Sequence, residues 1–310
     1  MIAMEITKLF NNTESFSCSI LQDEPLSKHT TMRVGGKACL FLQPDNADSF
    51  VYALRQLKTH SVPYFLLGGG SNVIMPDCPE FVVLSTKKLC SAEIAEKNER
   101  GAILKLGAGA SWGRVCNLCK DNCFLGFESF SGLPGTVGGA LYMNATCFGF
   151  SACDNLVNVR YFDIEADEIR TYEKNADDWG YKRSPFQDSN RIVLEANFCV
   201  KSADVSKEAV AEIYAKTLQE RVGKGHFSAP SAGSVFKNDS ANGIVAGRLI
   251  DECGLKGLKV GGARVADWHG NFIINTDNAT ASDIKALVAQ IKSVVKEKKG
   301  ISLDCEIIFA

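Results

Sequence analysis

Glycine placement constrains this chain more than any other feature. The run Gly68-Gly69-Gly70-Ser71-Asn72 follows an apolar stretch at 64–67, and Gly132, Gly135, Gly138 and Gly139 crowd a second loop that ends at Ala140. Residues without a Cβ take positive φ and let backbones approach closely. Successive N–H groups of such a loop converge on an anion, although a tight turn is the plainer reading of either loop alone. Two separated loops together suggest an extended ligand with a diphosphate, held mainly by backbone amides. Neither loop is a dinucleotide fingerprint, because the spacing from Gly68 and Gly70 needs a glycine where Val73 stands. No GxxxxGK[ST] loop occurs either.

The chain has 310 residues, which suits two domains at about 150 residues each, with three possible. Apolar residues make up 45% and charged residues 23%, the balance of a globular protein with a sizeable core. The 34 basic and 36 acidic side chains leave a net charge of -2, so no whole-protein grip on nucleic acid or an acidic membrane is expected. No apolar run approaches the ~20 residues of a membrane span. The N-terminus lacks a basic leader followed by an apolar core, so no secretion signal is expected.

Twelve cysteines are scattered along the chain, as suits reduced thiols used as small hydrophobes. Cys39 and Cys199 have apolar neighbours on both sides, in Ala38-Cys39-Leu40 and Phe198-Cys199-Val200. Cys116, Cys119 and Cys123 are spaced for one face of an amphipathic helix. A metal site would need a fourth ligand and a Gly- or Pro-rich knuckle, so a core face is the better reading.

The remaining pattern alternates strands and helices. Strands are expected at 37–43, 81–85, 102–110 and 191–200, and a hairpin over 158–172 turning near Ala166 and Asp167. Helices are expected at 46–59 behind Asn46, after Ser111, at 204–222 and at 246–254. The last helix has Thr280 and Asp283 spaced as a capping box and Gly300 as its stop. A final strand over 301–310 is expected to put Leu303, Cys305, Ile307 and Phe309 on one face and Asp304 and Glu306 on the other. A boundary is expected near 200–205.

Six motifs in order carry a resemblance: TTMRVGG (30–36), LLGGGSN (66–72), SGLPGTVGGA (131–140), YKRSPF (181–186), PSAGSVFKN (230–238) and AGRLIDECGLKG (246–257). Together the chain resembles the UDP-N-acetylenolpyruvoylglucosamine reductase family from about residue 20 to its C-terminus. The short stretch from Tyr181 to Ser234 leaves little room for the extra lid of the longer subgroup, so the chain resembles the shorter, type II subgroup. The resemblance implies an α+β fold with a two-part FAD-binding region of the vanillyl-alcohol-oxidase (PCMH) type and a C-terminal substrate domain. The implied division is 1–66 together with 301–310, then 67–202, then 203–300.

The resemblance also implies the chemistry. NADPH reduces FAD, and a hydride then passes to the enol-ether carbon of UDP-N-acetylglucosamine enolpyruvate, giving UDP-N-acetylmuramate for peptidoglycan. Gly68, Gly69, Gly70, Ser71 and Asn72, with Pro134, Gly135, Thr136, Gly138 and Gly139, are implied to cradle the cofactor, and Arg33, Gly35 and Asn144 to neighbour it. Ser234 matches the family's proton donor. Read alone, a serine after Ala-Gly is a turn or cap residue. Its weak acidity calls for a neighbour that stabilises the alkoxide, a part open to Lys237. Glu306 matches a glutamate near the substrate carboxylate, which implies a raised pKa or a close base. On pattern alone it is an ordinary solvated carboxylate.

The family's Tyr-Arg-x-Ser reads here as Tyr181-Lys182-Arg183-Ser184. Lys182 holds the arginine's register without its bidentate fork, and Arg183 is the alternative. Tyr181 and Ser184 match as substrate contacts, Arg221 and Lys224 as bases near the substrate's phosphates, and Asn238 as a contact to its nucleotide. Two departures stand out: Gly225-His226 replaces Gln-Pro, and Ala266-Asp267-Trp268-His269 replaces Ser-x-Lys-His. The implied partners are the sugar nucleotide and NADPH, with the chain a cytoplasmic monomer. A sugar or alcohol oxidase of the same fold is the alternative; it usually tethers its flavin covalently, and the one early histidine open to that part, His60, sits in a polar turn. A non-catalytic binding module is a third reading. Acyl transfer is not expected, because there is no GxSxG elbow.

Overall fold

The structure is a computed structural model and describes residues 6–10, 16–187, 189–239 and 242–310. It divides into two compact units: Met1–Leu21, Phe41–Gly69 and Val82–Glu220 form the first, and Gln22–Leu40, Gly70–Phe81 and Arg221–Ala310 the second.

The first unit holds two kinds of sheet. Val82–Ser85 pairs in parallel with Tyr64–Leu67 and with Phe41 and Leu42 of Lys37–Pro44. All four residues of Val82–Ser85 are buried, as a central parallel strand requires. The helix Ala47–Thr59 crosses between strands, its Asn46 side chain accepting from Ser49 N at 2.8 Å. It buries Phe50, Val51, Ala53, Leu54 and Leu57 on one stripe. The larger sheet is antiparallel, in the order Glu168–Glu173, Leu156–Asp163, Arg191–Ser202, Gly101–Gly107, Ala92–Asn98. Its hairpin pairs Asp163 with Glu168, so it turns over 164–167 as the sequence predicts. Under it, Trp112 meets Phe130 edge-on at 4.4 Å and packs with Phe127 and Phe198. Such pairs each contribute about 0.5–1.5 kcal/mol beyond burial.

The cysteines depart from expectation for one physical reason. Along a strand, sequence neighbours point to opposite faces. Phe198 and Val200 are buried while Cys199 between them is exposed, and Ala38 and Leu40 are buried while Cys39 is only partly so. Apolar neighbours therefore argue against burial there. Cys116 and Cys119 are buried on the helix Trp112–Asp121, capped by Ser111 as predicted. Cys123 lies beyond that helix with φ +57°, so the three thiols do not share a helix face. Among the described residues, no group of three His, Cys, Asp or Glu is placed to hold a metal ion.

The second unit carries an antiparallel sheet in the order Ser231–Ser234, Phe272–Asn275, Ala263–Val265, Lys259–Val260. The helix Ala281–Lys299 packs here through Ile284, Leu287, Val288, Ile291 and Val295. Thr280 and Asp283 form the predicted capping box, and Gly300 ends the helix at φ +71°. A second cap comes from outside: the Asp77 carboxylate accepts from Ala281 N at 2.8 Å and Ser282 N at 3.1 Å. The C-terminal segment alternates in burial as expected, with Leu303 and Ile307 inward, but only Ile308–Phe309 forms a strand, parallel to Val73–Ile74. No helix among the described residues is long and apolar enough to cross a membrane.

Candidate active site

In the first unit the two glycine loops press together. A Cβ on Gly69 would stand 2.5 Å from Gly135 Cα, and one on Gly68 would stand 2.8 Å from Thr136 Oγ1. That hydroxyl is buried and has no hydrogen-bond partner among the described residues. A buried, unpaired hydroxyl is costly unless something supplies a partner. A close-packed glycine cradle with an open donor suits the phosphate or ribityl part of FAD. Gly138 is different. Its N–H donates to Ala108 O at 2.8 Å, and a Cβ there would meet Ala108 at 3.0 Å. Gly138 thus serves close packing on the sheet, and its amide is not one of the cradle's donors.

Asn144 and Ser184 both make hydrogen bonds within the chain. Asn144 sits at the end of Val137–Met143 in a left-handed conformation. Its Nδ2 donates to Gly180 O at 2.8 Å, and its Oδ1 accepts from Cys153 N at 3.3 Å. The side chain therefore anchors the loop before Tyr181. Ser184 is buried; its hydroxyl donates to Tyr142 O at 2.8 Å and accepts from Phe186 N. Both residues hold the chain on either side of a tight turn. Within it Gly180 and Arg183 exchange N–H···O bonds of 3.1 Å each way. Lys182 has φ +54°, the left-handed third position of a type II turn. Tyr181 is exposed, with the Lys182 ammonium 5.7 Å from its ring centre. The Arg183 guanidinium folds back, donating to Asp177 O at 3.1 Å and Trp179 O at 3.4 Å.

The second unit gathers the rest. Gly70 has φ +64°, and a Cβ on it would lie 2.0 Å from His29 O. Gly35, at φ +130°, is pressed by Met75 and Leu26 in the same way. Arg33 is exposed beside them and, with Ser27, Lys28 and Thr30, lines a cavity of about 440 Å³. Two cations on one cavity suit an anionic group. Asn72, expected at the cofactor, donates from Nδ2 to Glu306 O at 3.0 Å, and its own carbonyl accepts from Ile308 N.

Ser234 is aimed by a bulge. Ser231 pairs with Ile274 and Ser234 with Phe272, so three steps on one strand face two on the other. Gly233, at φ +76°, takes the left-handed conformation that such a bulge uses. One extra residue turns every later side chain to the other face. Beyond Ser234, Val235 O accepts from Glu306 N at 2.8 Å, and Lys237 N donates to Asp304 O at 2.8 Å. The segments carrying Ser234 and Glu306 therefore lie side by side. Asn238 Oδ1 accepts from Ala246 N at 3.0 Å, starting the helix Ala246–Glu252.

Next to Ser234 in the sheet, Phe272 is flanked by two histidines. The His226 ring stacks on it at 5.3 Å and His269 tilts against it at 4.6 Å. Burial lowers the His226 pKa, reinforced by Arg221, His269 and Lys224. Burial also lowers the His269 pKa, with Lys256 adding to it. Arg221 itself is buried, and Gly225 faces the Trp268 indole. The two departures from the family pattern thus meet in one cluster. An imidazole with a folded pKa below its unfolded value of about 6.5 is protonated first in the unfolded chain. Stability from keeping these rings neutral is full above pH 6.5 and declines as pH falls through that value. Thermal unfolding followed from pH 7.5 to 5 is expected to lose midpoint temperature faster in the natural protein than in a His226→Gln, His269→Gln double variant. Parallel curves would show that the rings are not held neutral.

Several contributors have little or no local signature. Gly233 is signalled weakly, because glycine inside a strand often marks a bulge. Thr31 Oγ1, which donates to Ser231 O at 2.6 Å, and Asn271, whose partners lie 35 positions away, are visible only in three dimensions.

Residues 225–310 match a family model described as the C-terminal domain of UDP-N-acetylenolpyruvoylglucosamine reductase, and residues 38–171 match a FAD binding domain. A relative from Treponema denticola, named UDP-N-acetylenolpyruvoylglucosamine reductase, is 39% identical over 315 residues, covering 97% of each chain. One of the same name from Borreliella burgdorferi is 37% identical over 290 residues, covering 93% of each. Among solved structures, the UDP-N-acetylenolpyruvylglucosamine reductase of Thermus caldophilus aligns with a TM-score of 0.74 at 30% identity, covering 95% of this chain and 99% of that one. With a matching C-terminal model, a matching FAD domain and relatives aligned over almost their whole length, the chain belongs to the UDP-N-acetylenolpyruvoylglucosamine reductase family.

Proposed function

We infer that Ser234 and Lys182 carry the proton and charge work of the family's reaction. The chain is a FAD-dependent oxidoreductase that reduces UDP-N-acetylglucosamine enolpyruvate to UDP-N-acetylmuramate with NADPH, a step of peptidoglycan precursor synthesis. FAD, when bound, supplies the hydride. Gly68, Gly69, Gly135 and Thr136 of the first unit would hold it; Gly70, Ser71, Gly35 and Arg33 are the other positions of this chain that match the family's cofactor residues. The chain's own task is to orient the enolpyruvyl group, balance the charge that collects on its carboxylate, and deliver one proton to the neighbouring carbon.

Ser234 gives that proton from its hydroxyl, and the Lys237 ammonium in the same motif balances the alkoxide left behind. Lys182 supplies the positive charge that balances the carboxylate, and Glu306 orients the substrate. Tyr181, Arg221, Lys224 and Asn238 bind the sugar nucleotide. The observation that carries this reading is the bond from Glu306 N to Val235 O, which supports Ser234 and Glu306 acting on one substrate. None of the twelve cysteines is joined in a disulfide, which supports a reducing compartment and so the cytoplasm. No proposed role needs a residue from a second copy, in keeping with a monomer.

The test is NADPH consumption, followed by its absorbance, with and without the enolpyruvyl sugar nucleotide. Oxidation that starts only when the sugar nucleotide is added is the expected result. Oxidation at the same rate without it would contradict the reading.

A further inference from the structure

We propose that Asn271 is a positioning residue for proton delivery, its side-chain amide clasping the backbone that aims Ser234. The proposal rests on the reading of Ser234 as the donor. Asn271 is 3% exposed and immediately precedes the strand Phe272–Asn275. Its Oδ1 accepts from Phe236 N at 2.9 Å, and its Nδ2 donates to Phe236 O at 2.8 Å. Only one orientation of the amide satisfies both bonds, so the pairing defines which end is nitrogen. The Asn271 carbonyl also accepts from Val235 N at 2.9 Å, and its N–H donates to His269 Nδ1 at 3.1 Å.

The clasp reaches the three successive peptide groups that follow Ser234. Val235 N–H and both polar groups of Phe236 go to Asn271, while Val235 O goes to the backbone of Glu306. On the other side of Ser234 lies the left-handed Gly233, which has open space where a Cβ would be. The bulge thus supplies the turn of the hydroxyl, and crowding around Gly233 does not hold it. Asn271 does, and the Val235–Phe236 peptide that it holds also accepts from Glu306 N through Val235 O. Aspartate keeps the acceptor but loses the donor to Phe236 O. Leucine keeps the shape and loses both bonds.

A misplacement of about 1 Å at a reacting group costs on the order of a hundredfold in rate. Holoenzyme carrying Asn271→Asp or Asn271→Leu is therefore expected to reoxidise its reduced flavin with the enolpyruvyl sugar nucleotide about tenfold to a hundredfold more slowly. Flavin reduction by NADPH in the same preparations stays at the natural rate. The solvent deuterium isotope effect on reoxidation rises, because the proton step now limits it. In the as-purified protein, hydrogen exchange at the Val235 and Phe236 amides quickens.

If the leucine variant does not fold, the aspartate variant carries the test. Natural reoxidation in the folded variant, or equal slowing of both half-reactions with an unchanged isotope effect, overturns the positioning role. Ser234→Ala run alongside separates the two ideas. Slow reoxidation there with normal reoxidation in the Asn271 variants sinks the clasp alone, and normal reoxidation in Ser234→Ala sinks both.

Discussion

Ser234→Ala is expected to keep NADPH-driven bleaching of its flavin and to lose reoxidation by the enolpyruvyl sugar nucleotide by about 10²- to 10⁴-fold, the usual contribution of a placed general acid. The separation of half-reactions follows from where Ser234 stands. Its only proposed part is the proton, and the proton is needed only when the double bond is saturated. Folding is not expected to suffer, because the bonds at Val235 and Lys237 run between backbone groups and those at Phe236 go to the Asn271 side chain, so none of them uses the Ser234 hydroxyl. Stopped-flow absorbance of the flavin reads both half-reactions in one preparation. Reoxidation close to the natural rate would remove Ser234 as the donor. Slowing of reduction as well would point to a disturbed cofactor cradle instead.

The sequence made some of this arrangement visible and hid the rest, and the difference is one of range. Asn46, Ser111 and the Thr280–Asp283 box announce helix starts because a cap and its partner are three residues apart. The alternation through Leu194, Ala196, Phe198 and Val200 announces a half-buried strand for the same reason. Glycines were ambiguous because one residue type answers two demands. Gly69 lies against the other loop, while Gly138 lies against Ala108. Nothing near either glycine says which backbone approaches it. Asn144 and Ser184 look like ligand groups in a string, yet their polar atoms are used on Gly180, Cys153, Tyr142 and Phe186. The pairing of Val235 with Glu306 joins positions far apart along the second unit and leaves no local trace. The family motif, not the physics of the string, singled out Ser234. The structure then supplies a physical reason for its orientation in the Gly233 bulge.

In the choice between Lys182 and Arg183 the backbone favours the lysine. Lys182 occupies a left-handed position, φ +54°, between the reciprocal bonds of Gly180 and Arg183. For a residue with a Cβ this costs roughly 1–2 kcal/mol, and glycine would relieve it. Strain of this kind persists where a side chain is needed. Arg183 shows the opposite pattern, its guanidinium satisfied by the carbonyls of Asp177 and Trp179. Lys182→Gly is therefore expected to fold at least as stably as the natural protein, while kcat/KM for the enolpyruvyl sugar nucleotide falls about 10²- to 10³-fold through loss of a cation at the developing charge. Arg183→Ala is expected to do the reverse, losing about 1 kcal/mol of stability from its hydrogen bonds with little change in turnover. Lys182→Arg restores the fork that matches a carboxylate and is expected to retain turnover. Steady-state kinetics at saturating NADPH, paired with thermal midpoints, distinguish these outcomes. Loss of turnover in Arg183→Ala with none in Lys182→Gly would move the cation one residue along and leave the strain at Lys182 without a function.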